Sequence, residues 1–172
     1  MSNPSIALIG LMGCGKSTLG PLLAARLAIP FVDSDAEIVR EAGCSIAEIF
    51  AQQGEAAFRD LEHRVIQRLL AGEAKVIATG GGAFAHAPTR ALLLEESISL
   101  WLHASLETLV ARVGTGEGRP LLQQGDPRTI LAKLMDQRYP LYAEAELMVD
   151  VSDLSPEAVV EEIIALLEDD CH

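Results

Sequence analysis

Positive charge is scarce in this 172-residue chain: 13 Lys and Arg stand against 25 Asp and Glu, for a formal net charge of −12. The balance argues against a nucleic-acid partner, because phosphate backbones are held mainly through neutralisation by Lys and Arg. A nucleotide site remains open. It needs only a local cluster of cationic groups, and the global charge bears on solubility and association rates instead. Long apolar runs are also missing, with none near the ~18 residues of a membrane span. The first residues lack the basic-then-apolar layout of a signal peptide. A soluble, cytoplasmic protein with no membrane partner is expected. Cys14, Cys44 and Cys171 are odd in number and far apart, which suggests neither a disulfide framework nor a metal knuckle. His63, His86, His103 and His172 show no metal-ligand spacing, and no internal repeat or low-complexity segment is evident.

What is present suffices for one packed domain over residues 1–172, since 49% of the chain is hydrophobic and the length is that of a single core. Short apolar runs at residues 6–9, 31–33, 76–79, 98–102 and 147–151 read as strands. Helical periodicity separates them. It covers residues 16–28, 35–42, a stretch opened by the capping box Ser45-Ile-Ala-Glu48 and broken at Gly54, and the stripe Phe58, Leu61, Val65, Leu69. Further on come the stripe Leu106, Leu109, Val110, Val113, a helix started by Asp126-Pro127, and a terminal helix from Ser155-Pro156 to about Leu167. Glu168, Asp169 and Asp170 oppose the negative end of that last helix dipole, so fraying is expected there. Alternating strands and helices predict a three-layer α/β fold with a parallel sheet covered on both faces. Ligands in such folds bind beyond the carboxyl ends of the strands. The unusual segments around residues 10–17, 33–35 and 80–82 would share that rim.

The first of these segments, Gly10-Leu-Met-Gly13-Cys14-Gly15-Lys16-Ser17, fits G-x-x-x-x-G-K-[ST] between a strand and a helix. In that pattern backbone N–H groups and the helix N-terminus cradle phosphate. Gly13, Cys14, Gly15, Lys16, Ser17 and Thr18 are the expected ATP contacts. Lys16 would reach the β- and γ-phosphates, and the Ser17 hydroxyl would ligate Mg²⁺. Cys14 reads as a small loop residue, since phosphoryl transfer needs no covalent thiol. Pro21 falls inside the following helix, where a missing N–H can distort the backbone.

P-loop enzymes place a second carboxylate near Mg²⁺. The strand at residues 76–79 ends in Gly80-Gly81-Gly82, not Asp, which makes Asp33 the metal-shell candidate and leaves Asp35 free to face an acceptor hydroxyl. An ordinary Asp cap is the competing reading for this turn. Arg59 and Arg138 lie on helices, where an Arg is usually a solvated charge. Beside an anionic substrate the same side chain can grip a carboxylate bidentately. Arg119, between Gly118 and Pro120 in the Gly-rich stretch at about residues 114–126, suits a mobile lid that adds positive charge to the transferring phosphoryl.

Together these residues resemble the shikimate kinases over about residues 6–166. The P-loop alone is a superfamily signal. What narrows it is the ordered set Phe31-Val-Asp33-Ser-Asp35, Gly54-Glu-Ala-Ala-Phe-Arg59-Asp-Leu-Glu62, Gly80-Gly81-Gly82, Arg119-Pro-Leu-Leu122 and Arg138-Tyr-Pro-Leu-Tyr142. The resemblance implies a five-stranded parallel sheet in the order 2-3-1-4-5 and transfer of the ATP γ-phosphoryl to the 3-hydroxyl of shikimate. It places the shikimate-binding segment at about residues 33–62. It further implies that Asp35, Arg59, Gly81 and Arg138 bind shikimate, that Asp33 supports Mg²⁺ through water, and that Arg112 and Arg119 contact the nucleotide. Lys16, Asp35 and Arg119 would be the catalytic set in an enzyme expected to be monomeric. Asp150-Val-Ser-Asp-Leu-Ser-Pro156 departs from the Asp-Thr and following basic residues of the family's adenine loop. A kinase for another polyol acid such as gluconate is the rival enzyme, and a kinase-like sensor without turnover is the rival from another class.

Overall fold

The computed structural model describes residues 4–113 and 125–170. Five parallel strands form one sheet: β1 (Ser5–Ile9), β2 (Phe31–Asp33), β3 (Val76–Ala78), β4 (Ser97–His103) and β5 (Leu147–Asp150), ordered β2-β3-β1-β4-β5. Every residue of β1 and β3 is buried, as befits central strands covered on both faces. Register runs Leu8 to Ala78 on one side of β1 and Ile9 to Trp101 on the other. The chain leaves β1 toward β3 and β2 and returns across it to β4 and β5. The switch point of the topology therefore lies at the carboxyl end of β1, where such sheets bind ligands.

The helices are α1 (Lys16–Leu27), α2 (Ser34–Ala42), α3 (Ile46–Ala71), α4 (Ala87–Glu96), α5 (Leu106–Val113), α6 (Pro127–Tyr142) and α7 (Pro156–Asp170). Their starts follow the expected side chains. Ser45 Oγ accepts from Glu48 N at 3.1 Å, and Asp126 Oδ2 accepts from Thr129 N at 3.2 Å. Gly54 breaks α3 with φ 86° and ψ 171°. Pro21 lies on the exposed side of α1, which runs on without interruption. Among the described residues no helix is long and apolar enough to cross a membrane.

The structure adds two elements and changes one expectation. A helix, α4, and a 3-10 turn at Ala83–Ala85 occupy the stretch between β3 and β4 to which the sequence reading assigned no element. Pro88 stands in the first turn of α4, while the side chain of its N-cap, His86, makes no capping bond; the start therefore lacks the usual polar flag. At the other end, α7 remains helical through Asp170 instead of fraying after Leu167. Leu166 and Leu167 pack on the core, and that burial outweighs repulsion worth a few tenths of a kcal/mol per exposed charge.

The main core lies between the sheet and its helices, and includes Leu8, Ile66, Leu100 and Ile163. A second cluster, Ile38, Ile49, Phe58, Val65, Leu69 and Ile77, fastens α2 and α3 over the β2–β3 edge. That smaller core sets Asp35 and Arg59 beside the end of β3.

Candidate active site

A cleft of about 570 Å³ opens at the carboxyl ends of the strands. Its lining includes Gly13, Lys16, Ser17, Thr18, Asp33 and Asp35. At positions 13 and 15 the P-loop turns through φ 86° and 106°, the left-handed region in which a side chain is strained. Room is short as well: a Cβ on Gly13 would stand 2.9 Å from Val113 Cγ2. Lys16 Nζ donates to the Gly10 carbonyl. The Cys14 side chain turns into the core, where burial pushes its thiol pKa up, so only its peptide belongs to the loop.

Asp33 does two things. One carboxylate oxygen caps α2 by accepting from Ala36 N at 3.1 Å, and the residue also lines the cleft. The cap and the functional role were set against each other in the sequence, yet a carboxylate has lone pairs enough for both. Ser17 and Asp33 thus put a hydroxyl and a carboxylate beside Lys16 on one wall, an oxygen donor set of the kind Mg²⁺ takes. Behind them Thr79 Oγ1 donates to the Leu8 carbonyl at 2.8 Å and ties the end of β3 to β1.

Asp35 sits deeper. Burial, seconded by the Asp33 charge, holds its pKa above the ordinary carboxylate value, while Lys16 and Arg59 pull the other way. A Cβ on Gly80 would stand 2.7 Å from Asp35 Oδ1 and 3.2 Å from Glu62 Oε2. One on Gly82 would collide with the Arg59 guanidinium, and one on Gly81 would lie 3.2 Å from Arg138 Nη1. The three glycines let two arginines and two carboxylates converge on one turn. Arg59 pairs with Glu62 at 2.8 Å and lies over the Phe58 ring, 5.1 Å from its centroid. Arg59, Gly81 and Arg138, far apart in the sequence, thus meet next to Asp35.

Arg112 bridges two loops. Its Nη1 donates to the Cys14 carbonyl at 3.2 Å and its Nη2 to Val151 O at 3.3 Å. Beside it Val151, Leu154, Pro156 and Val159 give this end of the cleft an apolar wall. The departing segment at residues 150–156 therefore lines the cleft with apolar side chains where basic ones were expected. Arg119 and nearly all of the expected lid lie outside the described residues.

Glu62 and Tyr142 had no assigned role in the sequence. Glu62 is fully buried, and burial raises its pKa against the pull of Arg59. Its spacing of three from Arg59 on a helix was the available signal. Tyr142 donates its hydroxyl to the Gly81 carbonyl, a contact with no local signature.

Comparison with known proteins fits this arrangement. Residues 12–168 match the shikimate kinase family. A shikimate kinase of Paramagnetospirillum magneticum is 53% identical over 156 residues, spanning 91% of this chain and 80% of that one. The chain belongs to the shikimate kinase family. Among solved structures, shikimate kinase from Acinetobacter baumannii in complex with shikimate has a TM-score of 0.92 and 37% identity, covering 98% of this chain and 94% of that one. A gluconokinase from Sinorhizobium meliloti has a TM-score of 0.60 at 22% identity over 96% of this chain and 92% of its own, a likeness of fold alone. Family membership accounts for the parallel 2-3-1-4-5 sheet, and it makes this chain a kinase.

Proposed function

We propose that this kinase transfers the γ-phosphoryl group of ATP to the 3-hydroxyl of shikimate, giving shikimate 3-phosphate and ADP. The observation that carries the reading is the meeting of Arg59, Arg138 and Asp35 around Gly80, Gly81 and Gly82, next to the P-loop. Two guanidinium groups suit one carboxylate, and an acidic side chain between them and the P-loop suits a ring hydroxyl. A nucleotide acceptor, which has no carboxylate, would call for other groups at these positions, and the assay below separates gluconate. The enzyme works as a cytoplasmic monomer in this reading, and its charge of −12 favours solubility.

The P-loop amides and Lys16 hold the ATP phosphates, with Gly13, Gly15 and Thr18 in contact, while Arg112 and the apolar wall receive the base. Ser17 directly and Asp33 through water would hold Mg²⁺, which when bound neutralises charge on the phosphate oxygens. Arg59, Gly81 and Arg138 seat shikimate so that its hydroxyl faces the γ-phosphorus. The hydroxyl oxygen forms the new P–O bond as the bond to the ADP oxygen breaks. Asp35 orients the hydroxyl and takes its proton. Lys16 and, from the lid, Arg119 stabilise the charge that spreads over the phosphoryl oxygens.

A coupled ADP-release assay with shikimate, gluconate and a set of nucleoside monophosphates tests the proposal. Turnover with shikimate alone is expected. Preference for gluconate or a nucleotide would replace the acceptor, and ATP binding without turnover on any of them would favour a sensor.

A further inference from the structure

Tyr142 closes α6 and is fully buried, but its hydroxyl reaches across to the rim of the sheet and donates to the Gly81 carbonyl. The Arg138 guanidinium lies near enough to the phenol to work against the upward push of burial on its pKa. Gly81 is in turn tight against Arg138 and in ordinary contact with the P-loop. A Cβ there would stand 3.2 Å from Arg138 Nη1 and 3.8 Å from the Gly10 carbonyl oxygen. One phenol thus touches the turn, and the guanidinium that flanks that turn lies beside it.

We propose that Tyr142 is a positioning residue for the acceptor: its hydroxyl holds the Gly81 peptide, and through that peptide the Arg138 guanidinium packed against it, in the arrangement that receives a carboxylate substrate. The inference rests on the shikimate kinase reading above. Its physical basis is an imbalance in stiffness. Gly80-Gly81-Gly82 has no side chains to restrict its backbone, and Arg138 has a long, rotamer-rich one. Tyr142, by contrast, has two χ angles and a ring confined on several sides. Its centroid lies 6.4 Å from that of Phe84, 6.0 Å from Trp101 and 6.0 Å from Tyr139. A rigid anchor therefore borders a glycine turn without side chains and a long, rotamer-rich arginine.

Planarity of the peptide carries the effect further. With the Gly81 carbonyl pinned toward Tyr142, the Gly82 N–H of the same trans unit must point the opposite way. Gly82 is where the Arg59 guanidinium packs. One hydroxyl therefore sets the backbone between the two arginines proposed to hold the substrate. The alternative is a buried tyrosine whose hydroxyl merely finds a partner, as buried phenols usually do. In that case its removal would lower stability without singling out one substrate.

The test compares Tyr142→Phe with wild type in steady-state kinetics and thermal unfolding, with Phe84→Leu as a control that disturbs the same packing but no hydroxyl. The expected result for Tyr142→Phe is a five- to twentyfold rise in KM for shikimate, with kcat and KM for ATP within about twofold. Phe84→Leu should lower Tm without that selective change. A double-mutant cycle adds a readout that a purely structural role would not move: in an Arg138→Lys background, Tyr142→Phe should cost less than twofold more, because the group it positions is already impaired. Unchanged KM in Tyr142→Phe, equal losses for both substrates, full additivity with Arg138→Lys, or failure of Tyr142→Phe to fold while Phe84→Leu folds would each overturn the proposal. If wild type itself did not phosphorylate shikimate, the functional reading would fail first, and the comparison would show it before any variant was made.

Discussion

Arg59 Nη1 and Glu62 Oε1 lie 2.8 Å apart, with the carboxylate side chain 1% exposed and the arginine side chain 16%. The pair is built on one face of α3, so the guanidinium is aimed before any ligand arrives. Glu62→Gln keeps an acceptor oxygen and removes a buried charge, so stability should change little. Arg59, freed from its partner, would be drawn toward Asp35. Shikimate affinity should then fall about three- to tenfold, the worth of one charge-assisted bond reduced to a neutral one. Calorimetry showing wild-type affinity would leave Glu62 as a structural acid only.

Lys16→Met should give a folded protein with turnover reduced about a hundredfold or more, the usual loss when one preorganised charge is removed from a transition state. The amine is part-buried and donates to the Gly10 carbonyl, a single bond whose loss should leave Tm near that of wild type. Near-normal turnover would remove the P-loop assignment.

Arg138 gives a ranked expectation. Wild type should bind shikimate best, Arg138→Lys next and Arg138→Ala worst, because an ammonium keeps the charge but not the planar, paired contact. Loss in the Ala variant should be roughly ten- to a hundredfold. ATP affinity should be flat across the three, since the proposed nucleotide site is the loop after β1. Equal shikimate affinity in all three proteins would return Arg138 to a solvated charge.

In the proposed mechanism the raised pKa of Asp35 is expected to set the acid side of the rate profile. Asp35 must be ionised to take a proton, so kcat/KM should fall as pH drops through its folded-state value, which lies above that of an ordinary aspartate. Removing the opposing charge in Arg59→Met should move that limb higher. Stability has the opposite slope. Asp35 and Glu62 both keep their protons longer folded than unfolded; the folded state therefore binds more protons, and stability falls as pH rises through the interval from the ordinary carboxylate values to the raised ones. An acid limb at the ordinary aspartate value would show that Asp35 is not the group being titrated.

Much of this protein could be read from short stretches of chain. The P-loop needs only the residues between β1 and α1. Ser45 and Asp126 cap helices through partners three residues on, and Gly54 breaks α3 by its own backbone freedom. The periods of the apolar residues were enough for the α/β class. The helix at Ala87–Glu96 escaped because its start has no capping side-chain bond, and the end of α7 was misjudged because its charges were visible while its packing was not.

Local chemistry therefore determined what the sequence alone could establish: a phosphate loop, an alternating α/β chain, and a roster of carboxylates and arginines of the right kinds. Where those groups meet was decided by the tertiary structure. Tyr142 reaches a carbonyl 61 residues away, Thr79 one 71 residues away and Arg112 one 98 residues away. Contacts of that separation leave no spacing rule in the chain, because they exist only once the parallel strands have registered. The sheet brings the carboxyl ends of β1, β2 and β3 side by side, and the second core presses α3 against that rim. An exposed helix arginine and one turned into a cleft are the same residue in sequence; burial and neighbours supplied by the fold tell them apart.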